Sequence, residues 1–177
     1  LVHFEADASR ALQRSIKKAL RKPLDRYCGA WQGDGATALI AGLAATLDDS
    51  LKPLVKESVG RWQASARASH IYDYMGGRAG ALVTCAELER AAPGHVPISF
   101  VRALHRETLE RLQTLLDISR DSPIYLGFTH GIVGFLFAVE CAKHTFGLDV
   151  PRKAVEGTLN VLVREGYADD EGAIFWK

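Results

Sequence analysis

"GFTHGIVGF", residues 127–135, is the stretch on which the reading of the fold turns. Gly127, Gly131 and Gly134 surround His130, and the apolar run Phe135-Leu136-Phe137-Ala138-Val139 follows at once. Glycine costs roughly 1 kcal/mol against alanine inside a helix. Three of them at one helix entrance need a reason. Either the backbone turns there with positive φ, or something approaches it closely.

The pattern recurs upstream. "GGRAGALVTCAELERAAPG" (76–94) carries Gly77-x-x-Gly80-x-Leu82, matching Gly131-x-x-Gly134-x-Leu136. A weaker copy, "QGDGATALIAGLAATL" (32–47), aligns with Gly33 in the first glycine position and Ala36 in the second. The intervals from Gly33 to Gly77 and from Gly77 to Gly131 are 44 and 54 residues, the period of helical-hairpin repeats. Between the copies lie amphipathic segments of helical period. One carries Leu51, Leu54, Val55, Val59 and Trp62, and another Ile98, Val101, Leu104, Thr108, Leu112 and Leu115. A third, after Pro151, carries Val155, Leu159, Leu162 and Val163. No stretch reads as a strand. Helices apolar nearly all round belong inside and one-faced helices outside, which predicts an all-α chain forming part of an α/α toroid. About three hairpins make up the array, and residues 1–177 read as one domain. Hairpins of this kind gain a core only by stacking, so a second copy (a homodimer) or a partner chain is expected over the open ends.

Charge and length narrow the function. Twenty-two Lys and Arg stand against twenty-one Asp and Glu, a net charge of +1, which gives no electrostatic ground for binding nucleic acid. The basic stretch "RSIKKALRK" (14–22) reads as the wet face of a helix carrying Leu12, Ile16 and Leu20. The longest apolar run, "ATALIAGLAATL" (36–47), has twelve residues where a membrane span needs about 20. Three cysteines, Cys28, Cys85 and Cys141, lack CxxC spacing and make an odd count, which argues against a disulfide framework and for a reducing, cytoplasmic location.

These motifs resemble the lanthionine synthetase C-like family, which comprises lanthipeptide cyclases and LanC-like proteins that bind glutathione. Gly127-x-x-His130-Gly131-x-x-Gly134 is similar to the family's G-x-x-H-G-x-x-G, and Asp73-x-x-x-Gly77-x-x-Gly80 to its D-x-x-x-G-x-x-G. "YCGAWQGDGATALIAGL" resembles a first repeat, and the closing "GAIFWK" a segment that precedes the family's metal-binding half. The chain thus looks like the front half of such a domain. The resemblance implies a central zinc that activates a cysteine thiol of a precursor peptide for addition to a dehydroamino acid, forming a thioether. The family's zinc ligands, two cysteines and a histidine, sit in W-C-x-G and C-H-G motifs that do not occur here, so no metal ligand is assigned.

His130 and Asp73 are the candidate catalytic residues. The carbanion left by thiol addition needs a proton, and histidine both donates and accepts near neutral pH. Asp73 also has the reading of a helix N-cap. Cys141 and His144, i and i+3 on one helix, are two ligands without a third and read as structural. Cys85 reads as core. Tyr27 and Trp31 read as core packing rather than as a peptide groove, His95 as an exposed loop residue, and Asp34 in "GDG" as a turn residue. Two other function classes compete with the cyclase. One is a metal-free LanC-like module binding a peptide or glutathione. The other is an α/α-toroid glycan enzyme with Asp34 and Asp73 as acid and base, which leaves the HG-x-x-G motif without a purpose.

Overall fold

The computed structural model describes residues 2–29, 31–118, 125–168 and 174–176. Seven helices account for nearly all of the described secondary structure. They are α1 (Val2–Leu20), α2 (Gly33–Leu47), α3 (Lys52–Ala68), α4 (Arg78–Ala91), α5 (Ile98–Ile118), α6 (Ile132–Phe146) and α7 (Arg152–Glu165). A 3-10 turn, Asp49–Leu51, leads into α3, with the Asp48 carboxylate accepting from Ser50 N at 2.9 Å and Pro53 in the helix's first turn. Helix α6 stops where Gly147 adopts φ +68°, a conformation open to glycine.

Helices α2, α4 and α6 pack side by side as an inner row, and α3, α5 and α7 lie outside them, with α5 bridging α4 and α6. Helix α1 leans on α2 and α3. The result is an arc of an α/α toroid. Burial follows the pattern that the apolar spacing predicts in α4 and α5 but not in α7, which buries Ala154, Thr158 and Val161 and leaves Leu159 and Val163 exposed. Helix α4 is buried without a break from Ala79 to Ala86, as a helix between neighbours must be. Outer helix α5 buries one stripe, Phe100, Val101, Leu104, His105, Thr108, Leu112 and Leu116. In α1, Ile16 is buried while its basic residues face out.

The outer helices also hold the loops that feed the inner ones. Trp62 is fully buried on α3, edge-on to Phe100 at 5.3 Å, and its Nε1 donates to Cys28 O at 2.8 Å. One and two turns on, Ser65 Oγ donates to Asp25 O at 2.7 Å and Ser69 Oγ to Arg26 O at 2.9 Å. A single face of α3 thereby fixes the loop before α2.

Strands do occur, contrary to expectation. Gly166–Ala168 (β1) and Ile174–Trp176 (β2) pair antiparallel, Tyr167 opposite Phe175. Three residues are too few to show a period of two, so this hairpin is made by backbone pairing that leaves no pattern to read. The rest of "GAIFWK" lies outside the described residues.

His105 provides a test of the packing. Its Nε2 is buried without a hydrogen-bond partner, and burial holds its pKa below 6.5, against a small opposing pull from Asp149. The unfolded chain therefore binds more protons in the window just below pH 6.5, and stability falls as the pH drops through it. Urea unfolding between pH 7.5 and 5 is expected to show that fall, and His105→Leu to flatten it. A slope unchanged in the variant would show that other groups cause it.

Candidate functional site

Three loops reach the inner helices at the same end of the arc, and their backbones are tied to one another. Cys28 N and Gly29 N donate to Gly76 O at 2.7 and 3.1 Å, and Tyr74 N donates to Thr129 O at 3.1 Å. Each loop folds back on its own helix with the same step. Asp34 N reaches Tyr27 O, Ala79 N reaches Tyr72 O, and Val133 N reaches Leu126 O, always seven residues back.

That step corrects the alignment of the first repeat. A Cβ on Gly80 would sit 1.9 Å from Tyr74 O, and one on Gly134 1.9 Å from Phe128 O. The position under the same constraint in the first repeat is Gly35, whose Cβ would meet Gly29 O at 2.4 Å. The motif there is Gln32-x-x-Gly35, not Gly33-x-x-Ala36. Gly33 has its own role, a left-handed turn at φ +71°. The choice left open by the glycines of 127–134 is also settled. None of them has positive φ, and Gly131 is extended at φ −115°, so close approach of backbone oxygens is the reason at Gly131 and Gly134, while a Cβ on Gly127 would meet open space.

The stacked loops bring together two residues 57 apart in sequence. His130 Nδ1 lies 2.8 Å from Asp73 Oδ2. The other carboxylate oxygen, Oδ1, accepts from Gly76 N at 2.9 Å, which closes the turn and stops the carboxylate from rotating. Asp73 thus both caps its turn and faces the imidazole, while Gly77 is the cap of α4. A carboxylate accepts, so Nδ1 carries the proton and Nε2 is left for a ligand. The His130 side chain is 61% exposed and that of Asp73 22%. Behind the pair, Tyr74, Phe128 and Phe137 form an aromatic trio with centroids 4.5 to 6.0 Å apart, locking the second loop to the third.

Both residues line a cleft of about 380 Å³ between these loops and the end of α5, with Leu115 and Ile118 as its apolar wall. Tyr72, His70 and Arg111 also line it, and reading the sequence did not single them out. Tyr72 stands beside Asp73 in "YDY", the one local signal available. Arg111 belongs to the polar side of an outer helix, which periodicity assigns to solvent.

Other residues differ from expectation. Asp34 is no simple turn residue. It is 5% exposed, its Oδ1 meets Arg61 Nε at 2.6 Å and its Oδ2 accepts from Asp25 N at 3.2 Å. Arg61 also donates to Leu20 O and Pro23 O. That buried ion pair anchors the first loop and takes the carboxylate away from any acid–base duty. Trp31, expected in the core, is 66% exposed, because it sits on the loop ahead of α2. Tyr27 is half-buried under the Arg26 guanidinium at 4.7 Å, and His95 is half-buried rather than exposed. His144 lies 3.8 Å from Glu140.

The thiols do not suit a metal. Cys28 and Cys85 are core residues, and burial pushes both up, Cys28 to about 11. Burial likewise raises half-buried Cys141. Zinc binds thiolates, which these sites disfavour. Among the described residues, no three His, Cys, Asp or Glu side chains gather as a metal set. No described helix is long and apolar enough to cross a membrane.

An arc of inner helices entered through Gly-x-x-Gly loops, with a histidine–carboxylate pair where two loops meet, defines a class of α/α-toroid domain. The chain belongs to the lanthionine synthetase C-like family, whose model, Lanthionine synthetase C-like protein, matches residues 6–177. No curated protein matches the chain.

Proposed function

We propose that this domain serves thiol addition to a dehydroamino acid in a precursor peptide, and that His130 is its proton donor. The observation that carries this reading is the 2.8 Å contact between His130 Nδ1 and Asp73 Oδ2 at the mouth of a cleft. Addition of a thiolate to the β-carbon of dehydroalanine forms the C–S bond and moves the alkene electron pair onto the α-carbon. His130, starting with both ring nitrogens protonated, then delivers its Nε2 proton to that carbon and is left in the Nδ1–H form. Asp73 holds the ring in one orientation and lies against its charge when both nitrogens are protonated, so it is a positioning residue. Ionisation of the thiol is a separate need. The family relates that need to zinc, and the described residues do not fit a zinc ion, so no step here passes through one.

The test supplies a thiol already ionised at neutral pH, such as thiophenol, with a dehydroalanine peptide. Chain-dependent acceleration that disappears in His130→Ala supports the proposal. A metal-free module that only holds a peptide or glutathione would bind the peptide without accelerating addition. A cytoplasmic location belongs to this reading, supported by the three free cysteines.

The same reading includes a partner. Ile40, Leu43 and Leu47 form an exposed row on α2, at 48%, 50% and 87%, and Leu159 and Val163 are exposed on α7. Apolar rows of this kind favour burial against a second copy or another chain. Sedimentation of the purified chain is expected to show self-association at high concentration, and a monomer throughout would count against it.

A further inference from the structure

Among the described residues, the arginine at the cleft beside His130 has no acidic partner. Arg111 has Glu107 one turn before it on α5, the i, i+4 spacing at which the two ordinarily pair. Glu107 is instead bound to Arg78, which comes across from the start of α4. Among the described residues no carboxylate lies within ion-pair distance of Arg111. Its guanidinium rests over the ring of Tyr72, 5.9 Å from the centroid, and Arg78 lies over that ring at 5.2 Å. The ring face keeps the guanidinium at the cleft without neutralising it.

The charges lining the cleft are unbalanced. Among the described residues, His70, Arg111 and His130 face one carboxylate, Asp73, which His130 and Gly76 N already occupy. A fixed planar cation beside an apolar wall suits a carboxylate on a short aliphatic stem, and a cleft of about 380 Å³ admits a group of dipeptide size.

We propose that Arg111, laid on Tyr72, receives a carboxylate of the peptide substrate and so sets which residue neighbours the dehydroamino acid presented to His130. This rests on the thiol-addition reading for the identity of the peptide, but the binding step stands apart from the chemistry. A carboxylate has two sources here, an acidic side chain or a peptide C-terminus, and both meet the guanidinium in the same way.

The experiment measures binding of three peptides by protein-observed NMR. They are acetyl-dehydroalanyl-glutamic acid amide, the matching glutamine amide, and acetyl-dehydroalanyl-glycine with a free C-terminus. At least one carboxylate peptide is expected to bind about tenfold tighter than the glutamine amide, the size of one charge-assisted hydrogen bond. The tighter of the two carboxylates names the source. Arg111→Gln is expected to abolish the preference and Arg111→Lys to keep part of it. Because Arg111 is exposed, neither change touches the core. Binding is measured with no thiol present, so a failure of the proton-donor reading would not be mistaken for a failure here. Equal binding of all three, no binding of any at millimolar concentration, or a preference that survives Arg111→Gln overturns the proposal.

Discussion

His130→Ala is expected to lower the rate of thiophenolate addition to a dehydroalanine peptide by about 10²–10⁴, the range for loss of a positioned acid–base group. The large effect follows from the geometry of the loops. Asp73 is held by Gly76 N, and the imidazole is held by Asp73, so Nε2 is presented without freedom to swing away. Water at the cleft mouth can replace the proton but not its placement. Asp73→Asn keeps a group of the same shape facing the ring and removes its charge. It is expected to cost less than loss of the ring and to shift the pH profile of the rate, which a merely structural change would leave in place. His130 is exposed, so its loss costs little stability and circular dichroism should be unchanged. Full activity in His130→Ala would make the residue a surface neighbour of Asp73 and end the catalytic reading.

Gly80→Ala is expected to destabilise the fold by about 3 kcal/mol, at the severe end for one methyl group. The added carbon would lie 1.9 Å from Tyr74 O and 3.0 Å from Gly29 Cα. Neither atom belongs to a side chain that can rotate away, so the second loop must move or the first must separate from it. Movement of the second loop also carries Asp73 away from His130, since Gly80 N donates to Asp73 O at 3.2 Å. Against a typical total stability of 5–15 kcal/mol, such a loss leaves a marginal protein. Gly60→Ala is the control. It lies inside α3 with open space where the methyl would go, and is expected to stabilise by about 0.5–1 kcal/mol. Urea unfolding of the two variants checks both. A Gly80→Ala protein within 1 kcal/mol of the parent would refute the close-approach account of the Gly-x-x-Gly loops.

The helices and their division into inner and outer rows were legible because each is a local property. A helix between neighbours needs apolar residues on most sides, and α4 shows them. A helix at the rim needs one stripe, and α5 shows that. His130 and Asp73 stood out because their glycine-led motifs repeat, and a repeat is visible in one dimension. The first repeat's register was misread because Gly33 and Gly35 both offer a glycine. Only backbone oxygens of the preceding loop distinguish the one that must lack a side chain.

What the sequence by itself determined is the class of fold, the loops that start its inner helices, and the two residues whose motifs mark them. Spacing and composition act along the chain, and these features are written along it. The tertiary structure alone decided which groups meet. Asp34 stands 27 residues from Arg61, and their ion pair turned an apparent turn residue into a buried anchor. Asp73 met His130 across 57 residues because two loops share a backbone hydrogen bond. Among the described residues no carboxylate pairs with Arg111 at the cleft, since Arg78, from another helix, took the one that helical spacing would have assigned to it. Ion pairs of this kind depend on distance through space, and no period along a single helix records them.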